Sequence, residues 1–196
     1  MAGKRLSKAQ RRQQLMDVAY DIVRQDGADA LTLARLAEAA GVSKPVAYEH
    51  FGTRGGLLVA LYREYDERQN ALMRKALAAG GGSLRDTAAI LARSYVDCGV
   101  SSGAEIRAIT AALTASDDTE GQLQDCYCTF LAECRQALEP LPGVDRGRLD
   151  AALLAFIGAA EALVHAAATG ALTPDAATRT LTDMLVGAVQ EPVTTP

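Results

Sequence analysis

The chain has 196 residues, enough for one large domain or two small ones with a proper core. Alanine and leucine dominate, β-branched runs are scarce and no stretch alternates apolar with polar for long, which speaks against sheet and for an all-α fold. The net charge of −4 conceals an asymmetry: residues 1–56 hold nine Lys/Arg against six Asp/Glu (+3), whereas 57–196 hold eleven against eighteen (−7). A basic head on an acidic body suits a polyanionic partner for the head.

In chain order, Ser7-Lys8-Ala9-Gln10 is a capping box that opens a first helix with Leu15, Val18, Ala19 and Ile22 on one face, stopped near Gly27. Thr32 caps a short second helix, with Leu33, Leu36 and Ala37 inward, that ends at Gly41. Ser43 caps a third, which starts at Lys44-Pro45 and runs to Phe51; proline in a first turn gives up an N–H that has no partner anyway. Thr53 caps a long fourth helix that ends in the glycines 80–82, and Ser83-Leu84-Arg85-Asp86 opens a fifth reaching about Val100. A sixth spans Ala104 to Ala115. "DDTEG" is expected to break the pattern before a seventh from Gln122 to Leu138. An eighth runs from Asp145 to Ala168, and Thr173-Pro174 starts a ninth ending near Val189, before a frayed tail "EPVTTP". The expected architecture is therefore about nine helices, divided into a helix-turn-helix head (1–56) and a helical body (57–196).

The four cysteines (Cys98, Cys126, Cys128 and Cys134) form no C-x-x-C pair. On a helix Cys126 and Cys128 point to opposite faces, and Cys126 and Cys134 stand roughly 12 Å apart along the axis, too far to bridge. Neither a zinc site nor an internal disulfide is expected, nor any cofactor, and thiols in a reducing cytoplasm are the default. The basic N-terminus lacks the apolar core of a secretory signal. Residues 151–172 are long enough to span a bilayer, but Glu161 and His165 interrupt them and alanine is only weakly apolar. The expectation is a helix buried on nearly every side of a cytoplasmic protein, with no membrane partner.

Two short helices joined by Gly41-Val42-Ser43 make a helix-turn-helix. Projected at about 100° per residue, the third helix turns Ala47 and Phe51 inward and Pro45, Val46, Tyr48 and Glu49 outward. An exposed tyrosine and valine beside basic residues suit a helix laid in a DNA major groove, where base edges and thymine methyls are read.

"LTLARLAEAAGVSKPVAYEHFGTRGGLLVAL" resembles the DNA-binding segment of the tetracycline-repressor (TetR) family, whose pattern is close to G-V-S-x-x-x-x-Y-x-H-F followed by a small loop and a basic residue. The resemblance covers about residues 8–62. It implies that Lys44, Tyr48 and His50 touch phosphates or base edges, that Thr32 and Ser43 offer hydroxyls or helix-terminal N–H groups to the DNA backbone, and that Arg54 grips phosphate in place of the usual lysine. Lys4, Arg5, Lys8, Arg11 and Arg12 would form a basic arm that adds non-specific affinity, or else a solvated tail. For His50 packing beside Phe51 is the competing reading. Glu49 departs from the aromatic or basic residue of many members; it would accept from a cytosine amino group or repel phosphate. Gly55-Gly56 replaces the commoner acidic pair and leaves the start of the fourth helix loose.

The resemblance further implies that helices five to eight enclose a small-molecule cavity and that helices eight and nine pair with a second copy, setting two recognition helices on a pseudo-palindromic operator. Tyr95, Cys98, Arg107, Tyr127 and Phe130 are candidate pocket walls. Glu161 and His165, one turn apart on helix eight, either satisfy each other, bond across a dimer or anchor a ligand. The function implied is a ligand-responsive transcriptional regulator, a repressor released by its effector, and not an enzyme. The rival classes are a helical enzyme using Cys126 or Cys128 with His165, and an architectural or ligand-sequestering helical protein.

Overall fold

A computed structural model describes residues 6–115 and 117–190, the side chains of 117–124 excepted. Lys4, Arg5 and the tail from 191 onward lie outside the described residues. Among the described residues there are nine α-helices and no strand: α1 (Lys8–Asp26), α2 (Leu33–Ala39), α3 (Lys44–Phe51), α4 (Arg54–Gly80), α5 (Leu84–Ser101), α6 (Ala104–Thr114), α7 (Asp117–Leu138), α8 (Arg146–Ala168) and α9 (Pro174–Val189). A single 3-10 turn over Ala28–Ala30 links α1 to α2.

The caps explain most of these boundaries. Ser7 and Gln10 form the full reciprocal capping box, and the hydroxyls of Thr32 and Thr173 each accept the N–H three residues on. Ser83 does only half of what its sequence predicts. Its hydroxyl accepts from the Asp86 N–H, but the Asp86 carboxylate takes the Ser83 hydroxyl instead of reaching back to a backbone amide. One boundary differs by several residues: α7 begins at Asp117, so "DDTEG" forms its first turns and does not break the chain. Acidic residues complement the positive end of a helix dipole, and one internal glycine costs only about 1 kcal/mol.

The chain divides into two compact units. The first runs to Asp66 and also takes in Gly103–Cys126; the second comprises Glu67–Ser102 and the chain from Tyr127 onward. This is not the division at 56/57 that the sequence suggests. α4 runs unbroken through that point, and one face of α6 (Ile106, Ile109 and Leu113) completes the core built by Leu15, Ala19, Leu36, Ala47, Phe51, Leu57 and Leu61. Each fully buried leucine there contributes about 1.5–3 kcal/mol by leaving water. An Arg24–Glu105 ion pair at 3.6 Å adds a polar link between α1 and α6.

In the second unit α5 packs with α8 and α9 around Leu91, Val96, Leu153, Phe156, Leu181 and Leu185. Gly99 on α5 meets Val164 on α8 so closely that a Cβ there would stand 2.3 Å from a valine methyl. Arg85–Asp183 and Arg93–Asp175 pairs tie α5 to α9 at the surface. α8 has a mean hydropathy of 1.8 over an 18-residue window and is long enough to cross a membrane, yet only 28% of that window is buried. The expectation of burial on nearly every side is therefore not met within one chain. Leu149, Leu153, Phe156, Ile157 and Ala160 face the core, while Leu154, at 68% exposure, faces away.

Candidate nucleic-acid interface

The turn between α2 and α3 is a glycine-closed helix stop. The Val42 N–H reaches the Ala37 carbonyl at 2.9 Å and the Gly41 N–H reaches Glu38 at 3.1 Å, with Gly41 at φ +66°, which a side chain would resist. α3 then starts at Ser43 and Lys44-Pro45. Ser43 occupies the cap position, but its hydroxyl makes no capping bond and lies exposed. Ala47 is fully buried and Phe51 nearly so, which turns the rest of the helix outward. Lys44, Pro45 and Glu49 are exposed and Tyr48 is 52% exposed. Val46 is the departure from the projection: it is half-buried and packs on the core of the first unit, so less of it is offered to a ligand than expected.

α3 ends in a γ-turn. Gly52 has φ 69° and ψ −62°, and the Thr53 N–H donates to the Phe51 carbonyl at 2.7 Å. The Thr53 hydroxyl accepts from the Gly56 N–H at 3.0 Å and so starts α4. A Cβ on Gly56 would lie 2.3 Å from the Phe51 carbonyl oxygen. The second glycine of the pair is thus a point of close backbone approach, not the loose start expected from sequence.

Arg54 also departs from expectation. Its Nε donates to the Leu31 carbonyl at 2.9 Å, a terminal nitrogen donates to Ala28 at 2.7 Å, and Asp29 stands 3.6 Å away. The guanidinium ties the start of α4 to the 3-10 turn, with its side chain 39% exposed. Thr32 is exposed, and its hydroxyl oxygen accepts the Arg35 N–H at 3.1 Å.

The predicted basic arm is, from Lys8 onward, the first turns of α1. Lys8 pairs with Glu49 at 3.1 Å, Arg11 donates to Gln14, and Arg12 donates to the His50 carbonyl at 2.8 Å with its guanidinium 4.8 Å from the Phe51 ring centre. Spacing in the sequence carries no sign of Arg12's role, because its partners lie 38 and 39 positions away. His50 is half-buried with its ring 6.1 Å from that of Phe51. Burial holds its imidazole below the usual 6.5; Glu49 opposes this, while Lys8, Arg12 and Arg11 add to it.

The tetR-family profile of bacterial regulatory proteins matches residues 15–61, the segment that builds this helix-turn-helix. Residues 15–61 are a TetR-family DNA-binding segment. The HTH-type transcriptional activator FasR of Mycolicibacterium smegmatis is 35% identical over 75 residues, covering 38% of this chain and 34% of that protein. The chain thus matches only about a third of the length of that curated relative. Two solved structures share the fold along nearly the whole chain. A protein of unknown function from Rhodococcus sp. RHA1 has a TM-score of 0.75 at 21% identity, covering 97% of this chain and 100% of that one. The fatty acid degradation regulator FadR from Bacillus halodurans has a TM-score of 0.68 at 16% identity, covering 96% and 100%.

In the second unit, Tyr95 is the centre of an aromatic cluster. Its ring stands edge-on to Phe130 at 5.4 Å and to Phe156 at 6.2 Å. Burial pushes its phenol up, and the neighbouring Tyr127, Glu161 and Cys98 push it the same way. Four sequence candidates are thereby gathered round Tyr95, and Phe156, missed from sequence, joins them. Arg107 falls in the first unit instead. Glu161 and His165 are exposed on α8 in the single chain. Burial also pushes the thiols of Cys126 and Cys134 up, the reverse of what a cysteine nucleophile needs. Among the described residues no His/Cys/Asp/Glu cluster is fit to hold a metal.

Proposed function

We propose that the protein is a transcriptional regulator that inserts α3 into the major groove of a pseudo-palindromic operator, binds as a homodimer, and is released by a small-molecule effector. The observation that carries the reading is the two-sided character of α3. Ala47 and Phe51 anchor one face, and Lys44, Pro45, Tyr48 and Glu49 project from the other. Lys44 supplies charge for phosphate, Tyr48 a phenol and ring for base edges and thymine methyls, and Ser43 an exposed hydroxyl at the helix start. Thr32 and His50 flank this surface. Where the operator overlaps a promoter, release by an effector makes the protein a repressor. FasR carries the name of an activator.

Dimerisation is supported by the uncovered apolar side of the second unit, where Leu154 on α8 and Met184 on α9 are 68% and 47% exposed. Alanines and Gly158 beside Leu154 allow helices to approach closely, as a four-helix bundle between two copies requires. For the effector, the aromatic cluster of Tyr95, Phe130 and Tyr127, with Cys98 near it and Glu161 and His165 as polar anchors, favours a largely apolar molecule with one polar group.

Selection of bound fragments from genomic DNA, followed by footprinting, tests the DNA reading. One short dyad should be protected, and the Lys44→Ala/Tyr48→Ala double variant should lose that protection. Undiminished binding by the double variant would sink the assignment of α3. Broad coating of DNA without a dyad would point to an architectural protein.

A further inference from the structure

The first turns of α1 carry three contacts that converge on the last turn of α3. We propose that Arg12 is a positioning residue for the recognition helix, braced by Lys8, and not a phosphate ligand; the inference rests on the DNA-binding reading of α3. α3 has eight residues, too few to hold a helix by itself, and its last carbonyls have no partner within it. Arg12 donates to one of them, that of His50, at 2.8 Å, and lays its cationic plane 4.8 Å from the centre of the Phe51 ring. A cation at that end also complements the helix dipole. One turn earlier on α1, Lys8 holds the Glu49 carboxylate at 3.1 Å. Arg12 is half-buried and one terminal nitrogen is turned to the His50 carbonyl, whereas Lys44 is exposed at the opposite end of α3. Arg12 therefore sets the angle at which Tyr48 and Glu49, the residues just before its anchor point, are presented.

A phosphate ligand and a brace leave different signatures. Losing a phosphate contact weakens all DNA alike and lowers the salt slope of log K by about one, whereas losing a brace costs specific binding at every salt concentration. Arg12→Met keeps the stem and removes charge and donors; Arg12→Lys keeps the charge and removes the planar fork. Both would be measured on the dyad recovered from genomic selection and on a scrambled duplex, across about 50–200 mM salt. Arg12→Met should weaken the dyad about tenfold, leave the scrambled duplex within about twofold and leave the slope unchanged, and Arg12→Lys should fail to rescue it. Without DNA, hydrogen exchange of the α3 C-terminal turn should quicken in Arg12→Met while the middle of α1 stays protected. Equal weakening of both duplexes with a shallower slope, restored by Arg12→Lys, would overturn the proposal. So would unchanged exchange and unchanged affinity. A wild-type chain that holds dyad and scrambled duplex alike would overturn the DNA reading and this inference with it.

Discussion

Replacing Gly56 by alanine should destabilise the first unit, although on helix propensity it should do the opposite. The added Cβ would sit 2.3 Å from the Phe51 carbonyl oxygen, where ordinary van der Waals contact begins at 3.4 Å, so roughly 1 Å of backbone movement is needed. That oxygen cannot recede freely. It accepts the Thr53 N–H at 2.7 Å across the γ-turn, and its own residue is wedged into the core with 7% exposure. Overpacking of this kind costs about 1–3 kcal/mol, and the gain of Gly→Ala inside a helix offsets about 1 kcal/mol of it. A net loss of up to about 2 kcal/mol corresponds, for a chain of this length, to a fall in Tm of up to about 8 °C. Scanning calorimetry measures this directly. The displaced turn should also swing α3 and weaken binding to the selected dyad. A rise in Tm would mean that propensity governs the site and that Phe51 and Gly56 are not packed as described.

Three further outcomes are expected. Thr87 is 1% exposed and its hydroxyl has no hydrogen-bond partner among the described residues, so Thr87→Val should raise stability by about 1 kcal/mol in urea unfolding; a loss would reveal a partner for the hydroxyl. Because the folded pKa of His50 lies below 6.5, its neutral form contributes stability that is present above that value and lost as pH falls toward the folded pKa. A phosphate beside His50 would raise the pKa again, so affinity for the dyad should increase from about pH 7.5 to about pH 6 and His50→Asn should flatten that dependence in fluorescence anisotropy; a profile that is flat in the wild type removes His50 from the contact. Leu154→Glu would bring like charges together across an α8–α9 dimer and should weaken association by about a hundredfold or more in sedimentation, whereas an unchanged dimer would place the interface elsewhere.

Local chemistry determined much of this protein in advance of any tertiary contact. Ser7, Thr32, Thr53 and Thr173 act on amides three residues away, so the helix starts they specify are legible as spacing. The outward stripe of α3 is equally legible, because a regular helix fixes which side chains share a face. What the sequence could not show depends on partners far along the chain. Arg54 reads as a phosphate grip until the 3-10 turn brings two carbonyls to it, and Lys8 and Arg12 read as an arm until α1 lies across the end of α3. Val46 projects outward by helical angle, yet the core of the first unit extends far enough to half-cover it. α6 joins the head because its Ile106, Ile109 and Leu113 face finds the core there, and no local signal announces that choice. Helix starts and apolar faces are thus legible in the chain alone, since both follow from bonds within a few residues. The internal partners of Lys8, Arg12 and Arg54 come from the packing of distant segments, because a cation goes to whatever oxygen the fold places within its reach.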